Sequence, residues 1–281
     1  MNDLTKTDIT ELLDKYGLSP LKKLGQNFLT DSNIVGKIAE AADITSSSNV
    51  IEIGPGLGSL TGRISDTAKR VVCIELDSGL MRVLEDRFGN VGNITLIHGD
   101  ILKTDLNETA EKYFGGEDFI VIGNLPYYIT AKTIIRICES GAKSMTVMIQ
   151  KEVADRLSSP PSSRDYGSIT ASVAYYGTPE LMFTVPGSCF YPVPDVESAV
   201  VTTDLKKDVL KTDRKNYVKV VRASFAQRRK TIFNNLCSAF GKECGKERIE
   251  SVLAECGIKK EARAESLSRE DFASIAEKLF K

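Results

Sequence analysis

Between residues 49 and 150 five short apolar runs are interleaved with helix-like stretches, and this alternation constrains the fold of the chain most. The runs Val50–Ile53, Val71–Glu75, Ile94–Ile97, Phe119–Ile122 and Met145–Ile149 are too short for helices and rich in β-branched residues. Helical spacing begins at Ser59, recurs around Leu80–Phe88 and runs through Ile134–Cys138. Short buried strands alternating with helices imply a parallel, doubly wound sheet with helices on both faces. Ligands of such sheets bind at the carboxyl ends of the strands. That rim is where the unusual residues fall. Gly54-Pro55-Gly56-Leu57-Gly58, Glu75, Gly99-Asp100 and Asn124 each follow a strand.

Each placement has a chemical reading. A glycine turn lets the backbone approach a ligand closely. An acid about twenty residues later, here Glu75, suits the two hydroxyls of a ribose. Asp100 can accept a hydrogen bond from an adenine amino group, and Ile101 can pack on the ring. Taken singly, either acid is more often a cap or turn residue; as a set at one rim they describe a site for an adenosine-type ligand. A nicotinamide dinucleotide is the competing ligand, but Ser59 stands where G-x-G-x-x-G needs its last glycine. Ile122-Gly123-Asn124-Leu125-Pro126-Tyr127-Tyr128 is odder still. Asn124 and the Leu125 peptide offer carbonyl acceptors, Pro126 brings no N–H to compete for them, and Tyr127 supplies a ring. Those groups suit the exocyclic amino group of a base taken out of its stack.

The rest of the chain sets the context. Residues 1–20 carry a short helix ended by Gly17 and Pro20, and Asp31 or Ser32 caps another that runs to Ala42. Leu21–Leu29 suits no regular element and reads as a loop over the site. Leu181–Val185 and Ala199–Thr203 read as a hairpin completing the sheet, and from about Arg214 the pattern is helical to the end. This gives a sheet domain over residues 1–205 and a helical domain over 206–281. No run approaches the roughly 20 apolar residues of a membrane helix, and the start of the chain shows no basic-then-apolar signal, so the expected location is the cytoplasm. Six cysteines without a C-x-x-C pair, and a single histidine, leave no expected metal site. The formal charge is −1, yet residues 206–281 hold 19 Lys and Arg against 11 Asp and Glu. The totals of 37 and 38 leave 18 against 27 for residues 1–205. A basic C-terminal half points to a polyanionic partner; a solvated helical appendage is the plainer alternative.

Taken in order, Glu52-Ile53-Gly54-Pro55-Gly56-Leu57-Gly58, Glu75, Gly99-Asp100 and Asn124-Leu125-Pro126-Tyr127 resemble the motifs of class I S-adenosylmethionine-dependent methyltransferases. Leu24–Leu29, Phe190-Tyr191-Pro192-Val193-Pro194 and Ser224–Thr231 narrow the resemblance to the ribosomal RNA adenine N6-dimethyltransferases, the small-subunit enzymes in particular. It implies a Rossmann-like methyltransferase sheet with a small all-helical C-terminal domain, and S-adenosyl-L-methionine as cofactor. The implied reaction is dimethylation of two adjacent adenosines in the loop of the 3′-terminal helix of 16S rRNA, as part of small-subunit biogenesis. The expected partner is that rRNA in the subunit or its precursor, with the enzyme a monomer. Carried over by position, Gln26, Asn27, Leu29, Gly54, Gly56, Glu75, Asp100, Ile101 and Asn124 would bind the cofactor. Asn124, Leu125, Pro126, Tyr127 and Phe225 would frame the transfer, with Tyr127 and Phe225 stacking the base. Lys22, Lys23, Arg222, Arg228, Arg229 and Lys230 would hold RNA. Asp195 and Glu197 depart from the Lys and Asp often found in relatives, which bears on a local RNA contact. A 23S-directed methyltransferase, or a non-catalytic assembly factor with this fold, are the competing readings; the intact motifs weigh against the second.

Overall fold

The computed structural model describes residues 4–21, 24–205, 210 and 212–281. Its elements follow the chain as α1 (Lys6–Tyr16), β1 (Phe28–Leu29), α2 (Ser32–Ala41), β2 (Asn49–Ile53), α3 (Ser59–Ser65), β3 (Arg70–Glu75) and α4 (Ser78–Phe88). Next come β4 (Ile94–His98), α5 (Leu106–Phe114), β5 (Phe119–Asn124), α6 (Thr130–Glu139), β6 (Ser144–Gln150), α7 (Lys151–Leu157) and α8 (Ser168–Val173). The chain ends with β7 (Glu180–Val185), β8 (Phe190–Tyr191), β9 (Ser198–Asp204), α9 (Arg214–Ser224), α10 (Ile232–Cys244), α11 (Lys246–Glu255) and α12 (Arg269–Leu279).

The seven-stranded sheet runs β4-β3-β2-β5-β6-β9-β7. The strands from β2 to β6 pair in parallel, and β9 joins antiparallel to both β6 and β7. The five expected strands and the closing hairpin are all present. The crossover helices start where a side chain can satisfy their first free N–H groups. Asp31 caps α2, Asp77 caps α4 and Asp105 caps α5, each accepting from two backbone amides. Thr5 and Asp8 cap α1 reciprocally, and Gly17 ends it in the left-handed region at φ 62°.

One face of the sheet packs Val50, Val71, Cys73, Ile122, Met148 and Val200 against Val35 and Ile38 of α2 and Leu60 and Ile64 of α3, all buried. Each such side chain contributes roughly 1.5–3 kcal/mol by leaving water. A smaller cluster joins Ile9 and Leu13 of α1 to Phe28, Leu57, Leu80 and Val83. It fastens the N-terminal helix to Leu57, beyond the carboxyl end of β2, and to α4. Here structure and expectation differ: Leu21–Leu29 is not loop throughout, since Phe28 and Leu29 pair antiparallel with Tyr191 and Phe190.

Contacts divide the chain into two units, Met1–Ala154 with Glu180–Lys206, and Asp155–Pro179 with Lys207–Lys281. Sequence alone put residues 155–179 with the sheet; in the structure they group with the C-terminal helices. The physical reason is aromatic. Tyr217 of α9 is fully buried and its hydroxyl donates to the Ala171 carbonyl of α8 at 2.8 Å. The Tyr175 ring lies against it, tilted by 50° at 5.0 Å between centroids, and its hydroxyl donates to the Thr212 carbonyl at 2.7 Å. Phe272 of α12 meets the Tyr217 ring edge-on. Among the described residues no helix is long and apolar enough to cross a membrane.

Candidate active site

The carboxyl ends of β2, β3 and β5 open onto one cavity, walled by Gly54 and Gly56, by Glu75 and Leu76, and by Asn124 and Pro126. Gly54 and Gly56 have φ +66° and +62°, a backbone region that suits glycine, and a Cβ at Gly56 would lie 3.3 Å from the Phe28 ring. The turn therefore presents bare backbone to the cavity. Glu75 is buried at the end of β3. Its Oε2 accepts from the Gly56 N–H at 3.1 Å and its Oε1 from the Asp77 N–H at 2.9 Å. Burial pushes the Glu75 carboxyl above the usual carboxylate range, against these backbone bonds. Each carboxylate oxygen carries two lone pairs, so Glu75 keeps capacity for two more donors, as a ribose diol would supply. Leu57, Leu76 and Leu80 add apolar wall, which suits an adenine ring. The residues present fit S-adenosylmethionine.

On the β5 side the Asn124 carbonyl lies 3.6 Å from where a Gly54 Cβ would stand, so the two strand ends close the floor together. Asn124 Nδ2 donates to the Asn27 carbonyl at 3.1 Å, which leaves its amide oxygen as the acceptor. Asn27 in turn donates to the Gly25 carbonyl at 3.2 Å. Gln26 accepts from the Leu21 N–H at 2.8 Å and donates to Asp77, the α4 cap, at 2.9 Å. Leu24–Leu29 thus lies on the cavity wall, its first part held by the Gln26 and Asn27 side-chain amides and Phe28–Leu29 by the β1–β8 ladder. Ser59 donates to the Leu29 carbonyl at 3.1 Å and fixes the end of that segment.

Of the residues expected at the cofactor, Gln26, Asn27, Leu29, Gly54, Gly56, Glu75 and Asn124 share this wall. Asp100 and Ile101 follow β4 instead. Asp100 accepts from the Leu102 N–H at 2.9 Å, shaping the turn, and Ile101 is buried. Leu125 is also buried and donates its N–H to the Met148 carbonyl at 3.0 Å. Tyr127 is half-buried with its hydroxyl 2.9 Å from Ser198 Oγ. Phe225 belongs to the helical unit, its ring 6.2 Å from Tyr166 and 5.9 Å from Phe272. Arg222, Arg228, Arg229 and Lys230 are exposed in that unit. Arg228 there donates to the Arg164 carbonyl at 3.0 Å and stands 3.8 Å from Glu265. Lys22 and Lys23 lie outside the described residues.

Of the cavity residues left unassigned in the sequence, three bear on its chemistry. Leu76 and Tyr128 line the mouth and are exposed at 43% and 54%. Apolar side chains so open to water beside a cavity are what a flat ring would cover. Their signal was their position just after Glu75 and Tyr127, but exposure cannot be read from sequence. Desolvation raises the Tyr128 phenol, helped by the nearby Asp100 and Glu75 charges. The third is Glu52, wholly buried on the cavity floor.

Comparison with known proteins agrees with this geometry. The ribosomal RNA adenine dimethylase profile matches residues 19–281. A Geobacillus sp. (strain WCH70) protein named ribosomal RNA small subunit methyltransferase A is 45% identical over 276 residues, covering 96% of this chain and 94% of its own. A Bacillus cereus (strain AH187) protein of the same name is 42% identical over 99% of this chain and 98% of its own. Among solved structures, a dimethyladenosine transferase from Plasmodium falciparum superposes with TM-score 0.75 at 26% identity, covering 88% of this chain and 95% of that one. A 23S rRNA methyltransferase superposes at 0.69 and 25% identity, covering 91% and 100%. The chain belongs to the ribosomal RNA adenine dimethylase family and is an S-adenosylmethionine-dependent rRNA adenine methyltransferase.

Proposed function

We propose that this enzyme dimethylates N6 of two adjacent adenosines in the loop of the 3′-terminal helix of 16S rRNA, in the small subunit or its precursor. The observation that carries the reading is the floor of the cavity. There Asn124 and the glycine turn close on each other, beside a buried acid suited to a ribose. Bound against that acid, S-adenosylmethionine supplies a methyl group on a cationic sulfur, which is a good leaving group. The chain's residues have the remaining task, which is to present a weak nucleophile. The lone pair of an adenine N6 is delocalised into its ring. Carbonyl oxygens of Asn124 and Leu125 accept the N6 hydrogens and favour a pyramidal nitrogen. The acceptors would hold the nitrogen aimed at the methyl group, and the N6 proton set free by the transfer would pass to solvent. No strong base is needed, so orientation and fixed dipoles do most of the work.

Tyr127, steadied by Ser198, stacks the extruded base, and Pro126 sets the backbone between carbonyls and ring. Glu75 would hold the ribose, with Leu76 and Tyr128 as apolar cover for the adenine of the cofactor. The Gln26–Leu29 segment would hold the methionine end, and Asp100 with Ile101, after β4, would serve the adenine. The helical unit, with Arg222, Arg228, Arg229 and Lys230, holds rRNA phosphates. Lys22 and Lys23 are also proposed to bind rRNA. The enzyme works as a cytoplasmic monomer.

The test is methylation of small subunits that lack the modification, read by primer extension across both rRNAs. Two adjacent stops in the 3′-terminal helix of 16S rRNA are expected. Stops confined to 23S rRNA would replace this target with the other subunit. Asn124→Ala should lower single-turnover rate by about 10²-fold or more while RNA affinity changes little. A collapse of RNA affinity with normal turnover would remove Asn124 from the transfer step.

A further inference from the structure

The cavity floor holds a second carboxyl that the transfer step leaves unused. Glu52, on β2, is 1% exposed and sits just before the glycine turn. Thr61 Oγ1 of α3 donates to its Oε2 at 2.6 Å, and the Cys73 thiol of β3 stands 3.5 Å from the same oxygen. On its other side β5 places Ile122 in register with it, followed by Gly123, neither ionisable. The ionisable groups facing Glu52 are therefore Cys73 and Glu75, both on β3. Among the described residues no Lys or Arg pairs with it.

Burial, with the Glu75 charge adding to it, pushes the Glu52 carboxyl up to about 7. Ionising a carboxyl in such surroundings is unfavourable while nothing positive is near. A cation in the cavity reverses this, because it attracts the carboxylate and holds it ionised. A neutral ligand of the same outline leaves the carboxyl protonated. Methyl transfer makes that change in the ligand, turning a sulfonium into a thioether.

We propose that Glu52 is a specificity-determining residue by which the cavity favours the cationic methyl donor over the neutral thioether left after transfer. Its carboxyl O–H gives its proton to bulk water as the donor enters and is re-formed once the cavity holds the thioether. No oxidant, reductant or further group is involved. The inference rests on the methyl-donor reading above. It adds a reason for the product to leave and for the next donor to displace it.

Calorimetric binding of S-adenosylmethionine and of S-adenosylhomocysteine to the full-length protein, from about pH 6 to about pH 8, tests it. The preference for the donor should rise with pH by up to about tenfold per unit below the Glu52 midpoint. Near neutrality, donor binding should release a proton, seen as a heat that varies with the ionisation enthalpy of the buffer. Thioether binding should release none. Glu52→Gln should flatten the preference, while Glu75→Gln, though it weakens both ligands, should keep the slope. If Glu52→Gln does not fold, the proton count on the wild-type protein decides alone. A pH-independent preference in the wild type, or a slope that survives in Glu52→Gln, overturns the proposal with the methyl-donor reading intact. Failure of both ligands to bind at any pH overturns that reading and this one with it.

Discussion

Glu75 accepts two backbone N–H groups, whereas Glu52 accepts from a hydroxyl and faces a thiol, and the two carboxyls should answer differently to substitution. Glu75→Ala removes the ribose acceptor, and loss of a charge-assisted bond should weaken S-adenosylmethionine binding by about 1.5–3 kcal/mol. Calorimetric titration reads this directly, and an unchanged affinity would make Glu75 a turn residue. For Glu52 the expected effect is on folding. Its folded carboxyl is raised to about 7 from 4.5, so between those values the folded state binds more protons than the unfolded one. Stability linked to this group is therefore fully present below the unfolded value and is lost as pH rises through the folded one. Glu52→Gln should be more stable than wild type above neutrality, by up to about 3 kcal/mol, with the difference fading towards about pH 5. Melting curves at both ends of that range check it. The motif residues that follow strands were legible because strand ends were legible. Leu76 and Tyr128 were not, because their meaning lies in being uncovered, which no residue type reports. Nor were the ring neighbours of Phe225, Tyr166 and Phe272, because its spacing fits a stacking role and a helix core alike.

Elements of the sheet were readable from apolar run length, since a strand buried on both faces has no room for polar positions. Register is what the runs could not give, and one glycine shows its importance. A Cβ on Gly123 would lie 2.4 Å from the Ile53 carbonyl of the adjacent strand. Gly123→Ala must push β5 from β2 at the point where both end on the cavity. An overpacking cost of about 1–3 kcal/mol is expected, with cofactor affinity falling alongside the melting temperature. If the melting temperature falls and affinity does not, the wall tolerates strand displacement. The β1–β8 ladder escaped the sequence because two residues carry no periodicity. The α8 helix escaped because its six residues are too few for a pattern, and its allegiance depends on Tyr217, 46 positions beyond Ala171.

At the scale of the whole chain, the charge asymmetry finds its groups on the helical unit, but they are not equivalent. Arg228 is tied to the Arg164 carbonyl and lies beside Glu265, while the Ser162 N–H donates to the Glu265 carbonyl at 2.7 Å. It therefore braces the 158–164 loop as well as adding charge. Arg229→Gln should weaken rRNA binding and reduce its salt slope by up to about 0.7–0.9, with an unchanged melting temperature. Arg228→Gln should do the same and also lower the melting temperature. RNA affinity at several salt concentrations, beside melting curves, separates them. An unchanged slope in both variants would make this basic surface a bystander in RNA binding.

The division of the chain also bears on the order in which a ribosome delivers it. Neither unit is a single stretch: the sheet waits for residues 180–206, and residues 155–179 wait for helices that emerge last. The middle strand of the closing three, β9, arrives after the β7 strand it must bind, so β7 has no place in the sheet until then. During synthesis the Tyr166, Tyr175 and Tyr176 rings are thus exposed before α9 and α12 exist to cover them. A chain stopped at residue 205 would complete its cofactor cavity and still carry an orphaned aromatic segment. Such a fragment should bind the methyl donor yet associate with itself, and its solubility should return when residues 155–179 are replaced by a short polar linker.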